Sequence, residues 1–297
     1  MELRDIEIFL TLAEELHFGR TAARLHVSQA RISQSIKQQE RRIGGALFER
    51  SSRTVRLTPV GEQLRGDLLP IYHGLKQSVQ RARDAARGVT DVLRIGMIPS
   101  NTHDLRPFWD TFRKRHPQWG LRVRHNQFMD PFGPLRRGQI DLLVSWLPVE
   151  ERDLTVGPMI FCEPRVLAVA SDHVLAGSDT VSWEVLGDFG SLGAVEPAPD
   201  YWEDAFTPFY TPSGRPVERQ RTIATLDDLY TLISMGEGVN SLGRHVIRYH
   251  PRPDVVYLPY HDAPLLRWGL VWRSEPDSPL IRGFLEVVRD LGTPELS

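Results

Sequence analysis

Between Thr21 and Arg42 the chain sets two helical patterns on either side of a turn only three to four residues long. Few folds accommodate this, because helices joined so tightly must cross steeply and share one small core. Upstream, Ile6, Phe9, Leu10, Ala13 and Leu16 recur at helical spacing and predict a first amphipathic helix ending near Gly19. A short second helix is expected from Thr21 to Leu25. A tight turn at His26-Val27 follows, then a third helix that starts on Ser28 as N-cap and runs to about Arg42. On that third helix Ile32, Ile36 and Ile43 share a core-facing side, which leaves Ala30, Gln34, Lys37 and Arg41 on the outer side. After Gly44-Gly45 the run L-F-E-R-S-S-R-T-V-R-L-T alternates as a β-ribbon does.

Charge singles out the same segment. Residues 18–58 hold nine basic side chains against two acidic ones in a chain whose formal net charge is -2. Residues 1–90 carry fifteen basic and ten acidic residues, so the remaining 207 are net acidic. A cationic patch on an acidic protein is the footprint of a module that binds a polyanion and releases its counterions. The outer stripe of the third helix has the dimensions and chemistry to meet a major groove. There Gln34 can bridge adenine, Arg31 can reach guanine, and the small Ala30 can approach a thymine methyl. The candidate contacts are Ser28, Gln29, Ala30, Arg31, Ser33, Gln34 and Lys37 on this helix, with Arg50, Arg53 and Arg56 on the ribbon toward phosphates or the minor groove.

The run A-A-R-L-H-V-S-Q-A-R-I-S-Q-S-I (22–36), followed by L-F-E-R (47–50) and R-L-T-P-V-G-E (56–62), resembles the LysR-type transcriptional regulators over about the first 62 residues. Two positions depart from that pattern. Ala30 stands where the family usually has Pro or Ser, and Gln39 stands where a core Leu is usual, so its amide needs a partner or must reach outward. The resemblance implies an α+β winged helix-turn-helix head (1–58), a long linker helix for dimerisation (59–88) and an α/β two-lobed periplasmic-binding-protein-like effector domain (89–297). Lobe I would comprise about 91–161 and 266–297, and lobe II about 162–265. The resemblance also implies double-stranded promoter DNA and a small-molecule effector as partners. It implies no cofactor, and a homodimer through the linker that assembles into a homotetramer as a dimer of dimers. RNA polymerase is a further partner it leaves room for.

The residues beyond the head agree. Thr58-Pro59 is a helix start, and Leu64, Leu68, Ile71, Leu75, Val79 and Ala82 continue as a coiled-coil seam interrupted by Gly66, Pro70 and Gly74. Such a seam either pairs with a second copy or packs on its own C-terminal domain; residues 81–91 read as a hinge. From Val92 strands alternate with helices: strands at 92–98, 121–127, 140–146, 165–170, 221–225 and 265–272, and helices around Leu105–Phe112, at 226–235 and from Pro279 to Leu291. Alternation of this kind implies a doubly wound parallel sheet. I-D-L-L-V-S-W-L-P and G-E-G-V-N-S-L-G extend the family resemblance over this region.

In open α/β sheets ligands bind beyond the carboxyl ends of strands. That rule selects Ser100, Asn101 and Thr102 after one strand, Gln127 and Phe128 after the next, Trp146 and Leu147 after the third, and Thr225 before a helix, with Trp202 in a nearby loop. Ser100 and Thr225 also qualify as helix caps. The set suits a small, partly apolar metabolite with room for a carboxylate. No nucleophile elbow, zinc helix or phosphate loop occurs in the sequence, so an enzyme is not expected. The single cysteine, Cys162, excludes an internal disulfide and is expected as a small buried residue. The acidic N-terminus and the lack of a long apolar run favour a cytoplasmic protein with no membrane contact. A sensing or solute-binding module without sequence-specific DNA binding is the alternative reading.

Overall fold

The computed structural model describes residues 2–50, 55–86, 90–194, 198–275 and 278–296. The chain divides into two compact units, Met1–Gly88 and Val89–Ser297.

The first unit contains α1 (Leu3–Glu15), α2 (Phe18–Leu25), α3 (Gln29–Ile43), the antiparallel pair β1 (Phe48–Arg50) and β2 (Val55–Leu57), and α4 (Pro59–Ala85). Its core is small and shared by every element: Ile8, Phe9 and Leu12 of α1, Ile32 and Ile36 of α3, and Leu47 beside the ribbon are all fully buried. Helix α1 stops earlier than expected. Leu16 closes it in a left-handed conformation (φ 46) and is exposed, while His17 caps α2 by accepting the Arg20 amide, so Gly19 lies inside the second helix. Ile43, expected in the core, is exposed at the C-terminal end of α3.

Thr58 caps α4, its hydroxyl accepting the Gly61 N–H at 3.0 Å and donating to the Ala46 carbonyl at 2.7 Å. The helix runs through Pro70 and the glycines. Its apolar seam divides. Leu64 and Leu68 pack against the head's core, and Tyr72 donates to the Glu7 carboxylate of α1 at 2.8 Å. Farther along, Ile71, Leu75 and Val79 are exposed, at 65%, 45% and 46%. The segment read as a hinge from residue 81 is helical to Ala85, and residues 87–89 lie outside the described part.

The second unit starts with β3 (Asp91–Met97), α5 (Arg106–Arg115), β4 (Trp119–His125), α6 (Gly133–Arg136), β5 (Leu142–Trp146) and β6 (Leu154–Glu163). The chain then crosses into β7 (Arg165–Ala170), α7 (Leu186–Phe189), β8 (Ser191–Ala194), α8 (Asp200–Phe206), β9 (Arg219–Ile223), α9 (Leu226–Ser234), β10 (Asn240–Gly243), α10 (Val246–Tyr249) and β11 (Val255–Pro259). It returns through β12 (Leu266–Arg273) and ends on α11 (Pro279–Leu291). One lobe is built on the sheet β4-β3-β5-β12-β6, and the other on β10-β7-β11 with the separate pair β8-β9.

The expectation of a parallel sheet holds only in part. Strands β4, β3 and β5 are parallel, but β12 enters antiparallel between β5 and β6, and the sheet of the second lobe is antiparallel throughout. Edge strand β6 contains Gly157 and Pro158, residues that weaken a strand's interior and are tolerated where a ladder is irregular or ends. Its pairing with β12 is irregular beside them, and a Cβ on Gly157 would stand 2.3 Å from the Trp272 ring. Strand β7 is buried along its whole length because each of its faces meets a separate core. Val166 and Ala168 face Leu229, Tyr230 and Ile233, whereas Leu167 and Val169 face Trp183 and Leu186. Cys162 is half-buried rather than buried, and its N–H and carbonyl pair with Pro294 and Leu296. No helix among the described residues is long and apolar enough to cross a membrane.

Candidate functional site

Two surfaces carry chemistry, one in each unit. In the first, Ser28 caps α3, its hydroxyl accepting the Arg31 N–H at 3.2 Å. The inner face of α3 is fixed to α1: Ser35 donates to the Asp5 carboxylate at 2.8 Å, and the Gln39 amide donates to the Asp5 carbonyl at 3.0 Å and to Ser35 at 3.2 Å. This is how the buried Gln39 is accommodated. Its Oε1 is left without a hydrogen bond. With one side so held, Ser28, Gln29, Ala30, Arg31, Gln34, Lys37 and Arg41 are exposed and Ser33 is half-buried.

Glu40 does not dilute this cationic face, because its carboxylate turns back to accept the N–H groups of Leu47 and Phe48. Arg20 and Arg24 pair with Glu14 and Glu15 of α1, so they belong to the packing between helices rather than to the outer stripe. Those bonds, with Arg24 first, hold the Glu15 carboxyl below its usual range. Arg56 is exposed on the ribbon, whereas Arg53 and the side chain of Arg50 lie outside the described residues.

In the second unit a cavity of about 90 Å³ opens between the two lobes. Of the residues chosen from sequence, Ser100, Phe128, Trp146 and Trp202 line it. Trp202 belongs to α8 rather than a loop, and its ring stacks on Trp146 at 3.5 Å between centroids. Reciprocal hydrogen bonds lock the pair: Trp146 Nε1 donates to the Trp202 carbonyl at 2.7 Å, and Trp202 Nε1 donates to Ser145 Oγ at 3.1 Å. Ser100 Oγ lies 2.8 Å from His250 Nε2, joining the lobes directly. Tyr249 and Arg248 reinforce that junction by donating to Asp104.

Five choices fall elsewhere. Ser100 and its neighbours do not begin a helix, since α5 starts only at Arg106. Asn101 is fully buried, and both of its side-chain polar atoms lack a hydrogen bond. The Thr102 hydroxyl turns to Met97, and Gln127 is exposed outside the cavity. Leu147 packs over Gly269 of β12. Thr225 is the N-cap of α9, its hydroxyl accepting the Asp228 N–H at 3.0 Å. The strand-end rule leads to the rim of this cavity, but side chains at a rim are divided between cleft, core and caps.

The cavity also takes residues that sequence reasoning missed: Glu203 and Thr207 at the end of α8, Asn240 and Gly243 of β10, His245 and His250 around α10, and Trp268 of β12. G-E-G-V-N-S-L-G enters the sequence reading only through the family resemblance, and its second half lines the cavity. Burial holds the His250 imidazole below its ordinary range, and His245, Arg252 and His125 push it the same way. Arg165 is held by three carbonyls, those of Pro264, Phe206 and Ala205, and fixes the end of α8 to β7. Burial pushes the guanidinium down to about 10, against the opposing charges of Tyr260 and Glu163. Among the described residues no three His, Cys, Asp or Glu side chains converge as metal ligands would.

Comparison with known proteins follows the same division. A family described as the LysR substrate binding domain matches residues 86–293, and one described as bacterial regulatory helix-turn-helix protein, lysR family, matches residues 3–62. The chain is 28% identical over 290 residues to the HTH-type transcriptional regulator AlsR of Bacillus subtilis, across 97% of this chain and 95% of that protein. It is 28% identical over 283 residues to the DNA-binding transcriptional dual regulator OxyR of Escherichia coli, across 94% and 91%. Its fold is similar to that of full-length CbnR complexed with its target DNA, with a TM-score of 0.61 at 21% identity over 98% of this chain and 100% of that one. The chain belongs to the LysR family of transcriptional regulators, and it is a regulator rather than an enzyme.

Proposed function

We propose that α3 enters the major groove of promoter DNA and that the β1-β2 ribbon meets the flanking backbone, while the interlobe cavity receives a small molecule that changes the response at the promoter. The observation that carries this is the one-sided anchoring of α3. Its inner face is bound to α1 by Ile32, Ile36, Ser35 and Gln39, and its outer face presents Ala30, Gln34 and Lys37 to solvent. The structure of full-length CbnR in complex with its target DNA supports the same use of this fold. The exposed Ile71, Leu75 and Val79 of α4 support pairing with a second copy through the linker helix, with a tetramer formed through the effector domains. A cytoplasmic location and contact with RNA polymerase accompany this reading. No cofactor is needed for it.

A gel shift with the promoter region of the protein's own gene tests the reading. Sequence-specific retardation that Gln34→Ala weakens supports it. Retardation equal for any sequence, with ligand binding intact, would favour a sensing module without specific DNA binding. For the cavity, Ser100→Phe is expected to remove the ligand response, because Ser100 lines the wall and touches His250 across the lobes.

A further inference from the structure

A carboxylate stands behind the wall of the proposed cleft. Glu163, the last residue of β6, is fully buried, and its side chain accepts Trp268 Nε1–H at 2.7 Å and the His245 backbone N–H at 2.8 Å. The same carboxylate lies 2.8 Å and 3.0 Å from His245 Nδ1. Gly243 makes the approach feasible, since a Cβ there would stand 2.4 Å from Glu163 Oε1. Trp268, Gly243 and His245 all line the cavity. Donors from β12 and from the turn before α10 therefore converge on one carboxylate, as they would in a binding site for an organic acid, but the occupant is part of the chain.

The rest of the wall offers no substitute. None of the described residues lining the cavity is Lys or Arg. Glu203, the acid among the described lining residues, is paired with Arg219 at 2.9 Å. Helix α9 reaches the cavity through Leu226, but its first turn holds Asp227 and Asp228, and Thr225 takes the Asp228 N–H. His245 is held against Glu163 through its Nδ1. Burial holds His250 below its ordinary range and so disfavours a positive charge there. The remaining surface is apolar, from Phe128, Trp146, Leu192, Trp202, Ile223 and Leu229.

We infer that the effector is a small, uncharged and largely apolar molecule with a hydroxyl, carbonyl or amide head, and that Glu163 disfavours organic anions by taking up, from behind the wall, the donors of Trp268 and His245 that a ligand carboxylate would need. An anion entering this cleft would be buried with no lysine or arginine among the described residues of its wall to pair with. The inference rests on the cavity being the effector site. It departs from the carboxylated metabolite that the sequence leaves room for.

The test uses the full-length protein and one matched pair of probes, isobutyramide and isobutyrate, with binding read by calorimetry and by the fluorescence of the tryptophans around the cavity. Isobutyramide is expected to bind at least about tenfold more tightly than isobutyrate. Glu163→Ala removes the equivalent of one acetate and frees its donors. Acetate is therefore expected to raise the thermal midpoint of this variant and leave that of the wild type unchanged. If Glu163→Ala fails to fold, Glu163→Gln keeps the shape without the charge and is expected to narrow the preference between the probes. Equal binding of both probes to wild type, abolished by a cavity-filling Ala194→Phe, would overturn the assignment of ligand class while leaving the cleft as the effector site. Binding of either probe that survives Ala194→Phe would overturn the cleft reading itself. Failure of isobutyramide to bind wild type, together with no acetate effect on Glu163→Ala, would overturn the role given to Glu163.

Discussion

Helix α3 and the interlobe cavity solve opposite problems. On α3 the chemistry faces outward from a single element: one buried side anchors the helix, and the residues left over are the functional ones. In the cavity the chemistry faces inward and comes from separate segments of both lobes, so each functional side chain must also satisfy a packing or hydrogen-bonding demand. The two differ in charge for the same reason. An exposed arginine costs nothing to leave hydrated, and a polyanion can approach it; a charge buried behind the cavity wall needs a partner at once, as Glu163 has in Trp268 and His245. Where function is displayed on a surface, composition and periodicity reveal it. Where it is enclosed, only contacts across the fold do.

The largest effect should come where the head depends on a second copy. Ile71→Asp with Leu75→Asp places charges on the exposed part of the α4 seam and leaves Leu64 and Leu68 in the head's core. Light scattering should show the dimer dissociating, with operator affinity falling by about 10²–10⁴ as bivalent binding is lost. An undiminished dimer would assign this surface another role. The cavity's counterpart is Trp202→Ala, which removes a fully buried indole, its stack on Trp146 and its hydrogen bond to Ser145 across the lobes. A loss of about 3–5 kcal/mol is expected. Calorimetry should place it in the transition of the second unit alone, and a shift of both transitions would show that the units do not melt independently.

Legibility from sequence follows the same contrast. The spacing of Ile32 and Ile36 fixed the buried side of α3, and the N-caps at Ser28, Thr58 and Thr225 follow from residue type alone. Strand β6 escaped notice because Gly157 and Pro158 interrupt its pattern, and only the sheet edge and the Trp272 ring explain why they are tolerated. The cavity was legible as a rim but not as a lining. Nothing in the local sequence of Glu163 brings it to His245 and Trp268; antiparallel entry of β12 beside β6 does so. Asn101 and Leu147 lie outside the cavity because a strand end fixes where a backbone leaves the sheet and leaves open which way each side chain turns.

Smaller effects test the two surfaces residue by residue. Gln34→Ala should cost about 1–3 kcal/mol on the preferred operator and flatten the base preference, whereas Lys37→Ala should weaken all sequences alike and reduce the salt slope. Footprints with unchanged selectivity for Gln34→Ala would remove that residue from the groove. In the second unit Thr225→Ala should cost about 1 kcal/mol of stability through the lost cap and leave ligand affinity unchanged. A drop in affinity without a drop in stability would restore Thr225 to the binding site.

The smallest expected effect separates the units by pH. In the second unit burial depresses His125, His173 and His250, and for His250 the nearby His245, Arg252 and His125 add to it. Their unfolded forms take up protons near an ordinary imidazole value of about 6.5, and the folded forms do so only at lower pH. The unfolded state therefore binds more protons as pH falls below about 6.5, so the stability these groups contribute is complete above that value and declines below it. In the first unit the depressed groups are carboxylates. Burial pushes Asp5 and Glu7 up, but hydrogen bonds from Ser35 to Asp5, and from Tyr72 and Arg4 to Glu7, outweigh it, while Arg24 and Arg20 lower Glu15. Those contributions are complete above an unfolded carboxylate value of about 4 and are lost only as pH falls through the folded values beneath it. Between pH about 7 and about 5, melting should thus move down in the second unit while these groups leave the first unit unmoved. His250→Gln should reduce the slope of the second transition, since a side chain that cannot take a proton removes its share of the difference. An unchanged slope would mean that His250 titrates alike folded and unfolded, and the pH response would then belong to His125 and His173.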